Sequence, residues 1–334
     1  MLKIFKEILT NTGPKQLFAK NNFKKKNNFI VNNLTYKSFG EKNKNKIFYV
    51  IRRYPTAGFF SNITFILNQL KISEMLNFTP VIDMQNYPTL YNENQLIKNT
   101  YNAWEYFFYN LNKYSLSEVY KSKNVFLSNL KFEENMALDM TNKSIRKYLK
   151  KIKVKKEINE KVKSFAKKNF NPKDKILGVH FRGSTYKTAR GHALPPTSNY
   201  MIKNIENLIK KYNYNKIFIV TEEQKYLDAL KKKFKKNCIF FPSFRMKNID
   251  SFKIYPRKNH RFLLGEEILI ETILLSKCKG LTYIKSNVIS AALILSKKKI
   301  NLHEIFLGYN SRNKYIANWK WFIKSILPKN LGGI

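Results

Sequence analysis

The sequence is short of acidic residues, arginine, histidine and cysteine, and each shortage removes a class of function. The two cysteines among its 334 residues, Cys238 and Cys278, sit in or beside apolar runs without CxxC spacing. They read as buried thiols in a reducing compartment, which excludes a disulfide frame and a thiolate zinc site. The 4 histidines (His180, His192, His260 and His303) form no HxxxH pair, and no Asp-x-Asp occurs. Residues 1–20 are broken by Lys3, Lys6, Glu7 and Lys15. That is too interrupted for a signal peptide or a spanning helix, and leaves at most a short amphipathic helix able to touch a membrane. The expectation is a soluble, cytoplasmic protein.

Acidic residues number 22 against 63 Lys and Arg, a formal charge of +41. Such a charge invites an RNA-binding or anionic-membrane-binding reading, an α/β body without catalysis. Only 9 of the basic residues are Arg, however, and the lysines travel with abundant Asn, Ile, Phe and Tyr. That profile follows from a nucleotide bias toward A and T. An RNA surface would cluster Arg among stacking aromatics, whereas the few Arg here gather at loop ends. No specific nucleic-acid partner is expected. Peripheral contact with acidic lipid on the inner membrane face remains a consequence of the charge.

Residues 1–45 form a basic, loop-rich lead-in. A strand at Lys46–Ile51, a turn at 54–58, helical spacing over Asn62–Asn77 and a strand at Thr79–Asp83 make one strand–helix–strand unit. Residues 86–140 are aromatic and irregular, and no element is assigned there. Helices are then expected at 157–169, 197–212, 224–234, 266–278 and 287–295, alternating with strands at 175–180, 216–220, 238–241 and 281–284. The chain therefore reads as two α/β domains, 46–150 and 151–310, each with a parallel sheet, facing a cleft, with a helical tail at 311–334.

Chemistry concentrates where strands end. The stretch Ile176–Lys187 is an apolar strand that stops on His180, Phe181, Arg182, Gly183, Ser184 and Thr185. Imidazole, guanidinium, glycine and hydroxyls at a strand's carboxyl end can hold an anion such as a phosphate. Gly58 to Asn62 opens a helix and offers backbone amides to an anion, or else Gly58 makes a turn and Ser61 caps. Thr221-Glu222-Glu223 puts two carboxylates together, as proton acceptors or as a Thr221 cap followed by first-turn acids. Glu271 lies in an apolar helix, so it faces either a pocket with a donor pair, as guanine presents, or solvent. Ser286-Asn287 opens the last core helix and can donate amides to a phosphate.

In this order the four segments resemble the GDP-fucose-dependent fucosyltransferases of the α-1,6 and protein-O-fucosyl type. The resemblance covers about Phe48 to Leu307 and is weak between motifs. It implies a GT-B-like fold of two Rossmann-like domains and a nucleotide-sugar donor, GDP-fucose or a relative, with no further cofactor. It also implies a glycan acceptor, such as a surface polysaccharide or its lipid-linked precursor. Arg182 would hold the β-phosphate; His180 and Glu271 would contact guanine or ribose; Ser286 and Asn287, with Gly58, would serve the donor. Asn62 would lie near the reacting sugar and Glu222 or Glu223 in the acceptor region. The chain departs from the family at Gly183, where α-1,6 enzymes carry a second Arg, and at Thr185, where the family often has an acid. Arg190 and Lys187 are the candidates to replace the lost positive charge.

Overall fold

A computed structural model describes residues 34–53, 55, 57–128, 143–247 and 250–334. The amphipathic helix expected within residues 1–20, most of the lead-in, and Tyr54 and Thr56 of the expected turn lie outside them. The described residues divide into two units. One comprises Val162–Ile254 and Glu271–Ile334, the other residues 34–161 with Tyr255–Ile270.

The second of these is built on a four-stranded sheet, in order β1-β4-β2-β3. Its strands are β1 (Thr35–Lys37), β2 (Lys42–Ile51), β3 (Thr79–Ile82) and β4 (Ser122–Leu127). β2 runs parallel to β3 and β4, with Val50 opposite both Val81 and Leu127, and β1 is antiparallel to β4. Phe48, Val50, Val81, Val125 and Leu127 bury one face. α1 (Phe59–Met75) connects β2 to β3. It starts three residues before the expected Asn62, because Gly58 rather than Ser61 is its N-cap, and no side chain caps it. Between β3 and β4 lie the short helices α2 (Ala103–Phe107) and α3 (Leu116–Val119). After β4, α4 (Lys143–Leu149) returns to α1, where Glu74 of α1 accepts from Lys147 and Lys151. α5 (Lys156–Asn169) follows, and from Val162 onward it belongs to the other unit.

The other unit carries a fully parallel five-stranded sheet, in order β7-β6-β5-β8-β9. The strands are β5 (Ile176–His180), β6 (Lys216–Val220), β7 (Cys238–Phe240), β8 (Gly280–Tyr283) and β9 (Asn301–Glu304). All five residues of the central β5 are buried, as expected of a parallel strand covered on both faces. The connecting helices are α6 (Ser184–Thr188), α7 (Ser198–Tyr212), α8 (Gln224–Phe234), α9 (His260–Leu275, of which only Glu271 onward belongs to this unit) and α10 (Asn287–Leu295), with α11 (Lys314–Ile326) at the end. Sequence sets several of their ends. Thr197 accepts from the Tyr200 amide to start α7, and Asn213 adopts the left-handed conformation that stops it. Met201, Ile205 and Leu208 of α7 and Leu227 and Leu230 of α8 pack with Leu177, Val179, Ile217 and Ile219 of the sheet.

Candidate active site

β5 to β7 are laid down in one direction across the sheet, and β8 and β9 return to the other side of β5. The order therefore reverses between β5 and β8, and the crevice beyond the strand ends at such a point is where α/β sheets bind ligands. His180, the last residue of β5, is paired with both Val220 and Tyr283. Three loops thus leave the sheet at one level: 181–183, 221–223 and 284–286.

His180 is buried, and its Nδ1 has no hydrogen-bond partner among the described residues. Burial, and secondarily the charge of Arg182, push its pKa down to about 3. The imidazole is therefore neutral at physiological pH. A buried nitrogen left unpaired costs stability and is the kind of group a ligand completes. Arg182 is partly exposed; its guanidinium stacks over Tyr186 at 4.4 Å, and its Nε lies 3.7 Å from Glu222 Oε2. The Tyr186 ring in turn meets His192 at 4.8 Å. Burial and the Arg182 charge hold the His192 pKa below its ordinary value. The result is one guanidinium held by a ring and a carboxylate at the mouth of the crevice.

Behind it the loops are locked by a buried ion pair. Lys187 Nζ lies 3.1 Å from Glu223 Oε1, and both side chains are buried. Lys187 also stacks over Tyr226 at 5.0 Å and Trp321 at 4.8 Å. Burial pulls its pKa down, and Glu223 counteracts part of that. Lys225 reaches the second Glu223 oxygen at 3.2 Å. Glu223 is thus committed to two ammonium groups, while Glu222 sits beside Arg182. Neither lies in a helix with Thr221 as cap: α8 begins at Gln224, Glu223 is the N-cap, and Thr221 Oγ1 accepts from the Glu223 amide. Gly183 is where the chain departs from the α-1,6 pattern, and packing explains the residue. A Cβ there would stand 2.2 Å from Glu223 Oε1 and 2.2 Å from Tyr226 Cε2. No second Arg fits at that position while Glu223 keeps its place. Lys187 supplies a cation nearby, but Glu223 neutralises it.

Glu271 is buried on α9 and does not face solvent. Its Oε1 accepts from Ser243 Oγ at 2.6 Å and from Arg245 Nη2 at 3.3 Å. Arg245 also donates to the carbonyls of Ser243 and Phe241. That fastens the loop after β7, whose Met246 exchanges backbone hydrogen bonds with Glu222 and Gln224. Glu271 therefore reaches the Glu222 loop through Arg245. Ser286 is the N-cap of α10, accepting from the Ile289 amide at 3.4 Å, and Asn287 is the exposed first residue of that helix.

The structure brings His180, Arg182, Glu222, Glu223, Ser286 and Asn287 to one sheet edge. Gly58 and Asn62 belong to the other unit. No neighbour lies within 4 Å of a Cβ built on Gly58, so space does not demand glycine there. Asn62 is buried in the first turn of α1, its Nδ2 donating to Ala57 O at 3.4 Å and its Oδ1 unpaired among the described residues. The same unit has a depression of about 550 Å³ lined by Thr35, Lys37, Phe39, Arg52, Asn86, Tyr87, Tyr120 and Leu127. Arg52, just past the end of β2, donates to Ser128 O and Tyr87 Oη and stacks over the Tyr87 ring at 4.9 Å. Each sheet thus presents an arginine stacked on a tyrosine at its carboxyl edge. Sequence reading missed Tyr186, Arg245 and Arg52. Their one signal was that each is an Arg, or four residues from an Arg, in a chain whose basic residues are overwhelmingly Lys.

No protein-family model matches the chain, and no curated protein matches it. Solved structures do. NodZ α-1,6-fucosyltransferase co-crystallised with GDP aligns at a TM-score of 0.51 and 16% identity, covering 75% of this chain and 93% of that one. Fucosyltransferase NodZ from Bradyrhizobium aligns at 0.50 and 17%, covering 75% and 94%. POFUT1 in complex with GDP-fucose reaches 0.44 at 9% identity, over 77% and 97%. The chain has the GT-B-like α/β fold of the NodZ fucosyltransferase.

Proposed function

We propose that the chain is an inverting, metal-independent glycosyltransferase that moves fucose from GDP-fucose to a glycan acceptor, a surface polysaccharide or its lipid-linked precursor. The observation that carries this reading is the Arg182–Tyr186–Glu222 cluster beside unpaired His180, at the strand-switch crevice of the sheet. The donor is inferred from the shared fold, because the NodZ structures were obtained with GDP and with GDP-fucose.

In this mechanism the bond between sugar C1 and the β-phosphate oxygen breaks with its electron pair going to the phosphate. Arg182 neutralises that growing charge, and the amides at the start of α10, after Ser286 and Asn287, support the diphosphate. The acceptor oxygen bonds to C1 from the opposite face, which inverts the centre, and Glu222 takes the acceptor proton. Neutral His180 serves the guanine or ribose side. Glu223 and Glu271 act as positioning residues, because their side chains are buried and held by ion pairs with Lys187 and Arg245, whereas Glu222 is partly exposed beside Arg182. The depression around Arg52, Tyr87 and Tyr120 offers aromatic and polar groups suited to the acceptor sugar.

Incubating the protein with GDP-fucose, GDP-mannose and UDP-sugars in excess EDTA tests the reading. Release of GDP from GDP-fucose is the expected result. Turnover of a UDP-sugar alone, or activity seen only after Mn²⁺ is restored, would overturn it.

A further inference from the structure

The last helix is amphipathic in an inverted sense. α11 buries Ala317 together with Lys320 and Lys324, each lysine only 1% exposed. It leaves outside Tyr315 at 80%, Trp319 at 66%, Phe322 at 44% and Ile326 at 82% exposure. At helical pitch the spacing of those four confines them to an arc of about 60° and a stripe roughly 17 Å long. The orientation is fixed by the body of the protein. The Trp321 indole donates to Pro195 O at 2.7 Å, and Asn310 Nδ2 ties Ala317 O to Lys187 O at 3.0 Å each. Lys324 Nζ donates to Gly332 O. The outward stripe is therefore held in place, and a contiguous apolar stripe held toward water marks an interaction surface.

We propose that α11 lies flat on an anionic lipid surface, with Tyr315, Trp319, Phe322 and Ile326 inserted among the headgroups. Three observations select lipid as the occupant. Trp, Tyr and Phe at one depth suit the boundary between headgroups and acyl chains. The formal charge of +41, with exposed Arg312 and Lys314 at the start of the stripe, complements acidic headgroups. Among the described residues no helix is long and apolar enough to cross a membrane, so contact is along the surface. This inference does not depend on the transferase reading.

Sedimentation of the full chain with vesicles of phosphatidylcholine alone, or with added phosphatidylglycerol, at about 0.15 M salt tests it. The wild type should sediment with the anionic vesicles. The triple variant Tyr315→Ser, Trp319→Ser, Ile326→Ser keeps every charge and should bind roughly tenfold more weakly or worse. Its melting temperature should match the wild type, since all three side chains are exposed. Trp319→Phe should retain binding, which separates apolar contact from damage to the helix. Equal sedimentation of the triple variant, or no sedimentation of the wild type, would overturn the proposal. So would a lipid-free dimer that the triple variant abolishes, because a second copy would then cover the stripe.

Discussion

At the scale of single residues, Arg182 carries the account. Arg182→Ala should lower transfer by ~10²–10³ with the fold intact, since removing one preorganised charge-stabilising donor costs about that much; steady-state rates beside a thermal melt check it. Gly183→Ala should cost ~1–3 kcal/mol through overpacking against Glu223 and Tyr226 and weaken GDP binding by displacing Arg182, readable by denaturation and calorimetry. His180 sets a pH dependence. Its folded pKa of about 3 lies below an unfolded value of about 6.5. As pH falls through that window the unfolded chain binds a proton that the folded chain refuses, so stability falls. Between pH 7.5 and 5.0 the wild type should lose about 2 kcal/mol more than His180→Gln, as measured by urea unfolding. His180 and Arg182 were legible in the sequence because they cut off an apolar strand abruptly. The Lys187–Glu223 pair was not, because it joins residues 36 positions apart and forms only once β5 and β6 lie parallel in register.

At the scale of elements, the bond from α9 to the loop after β7 is the joint most open to test. Changing Glu271 to Met alone leaves Arg245 as an unpaired buried charge and should cost ~3–5 kcal/mol. Changing both Glu271 and Arg245 to Met should cost much less than the sum of the single changes, and a double-mutant cycle reads the coupling. Additive costs would mean the pair does not hold the loop. Most elements beyond residue 150 were legible from periodicity, and α8 and α10 have the expected bounds. α9 runs from His260 to Leu275, where a helix over 266–278 was expected; a Cβ on its Gly265 would stand 2.4 Å from the Phe107 ring. β4 and β9 went unseen for a common reason. Ser122–Leu127 begins with Ser, Lys and Asn, and Asn301–Glu304 is a largely exposed edge strand, so neither shows the apolar signature of a buried strand.

At the scale of the whole molecule, charge and fold make separate demands. If +41 reflects composition, binding to random RNA should be weak and vanish near about 0.15 M salt; tight binding to one defined RNA at that salt would favour the non-catalytic alternative. The α/β architecture was legible because strand and helix periods alternate clearly. The reversal of strand order that creates the crevice was not, since it depends on which side of β5 the returning β8 docks. The central claim is that this crevice holds a guanosine diphosphate through Arg182. Calorimetry with GDP, ADP and UDP on the wild type and on Arg182→Ala, in EDTA, tests it most directly. The account predicts that the wild type prefers GDP and that the variant, equally stable, binds it at least tenfold more weakly, a loss of about 1.4 kcal/mol or more. Equal affinity for the three nucleotides, or undiminished GDP binding by the variant, would contradict it.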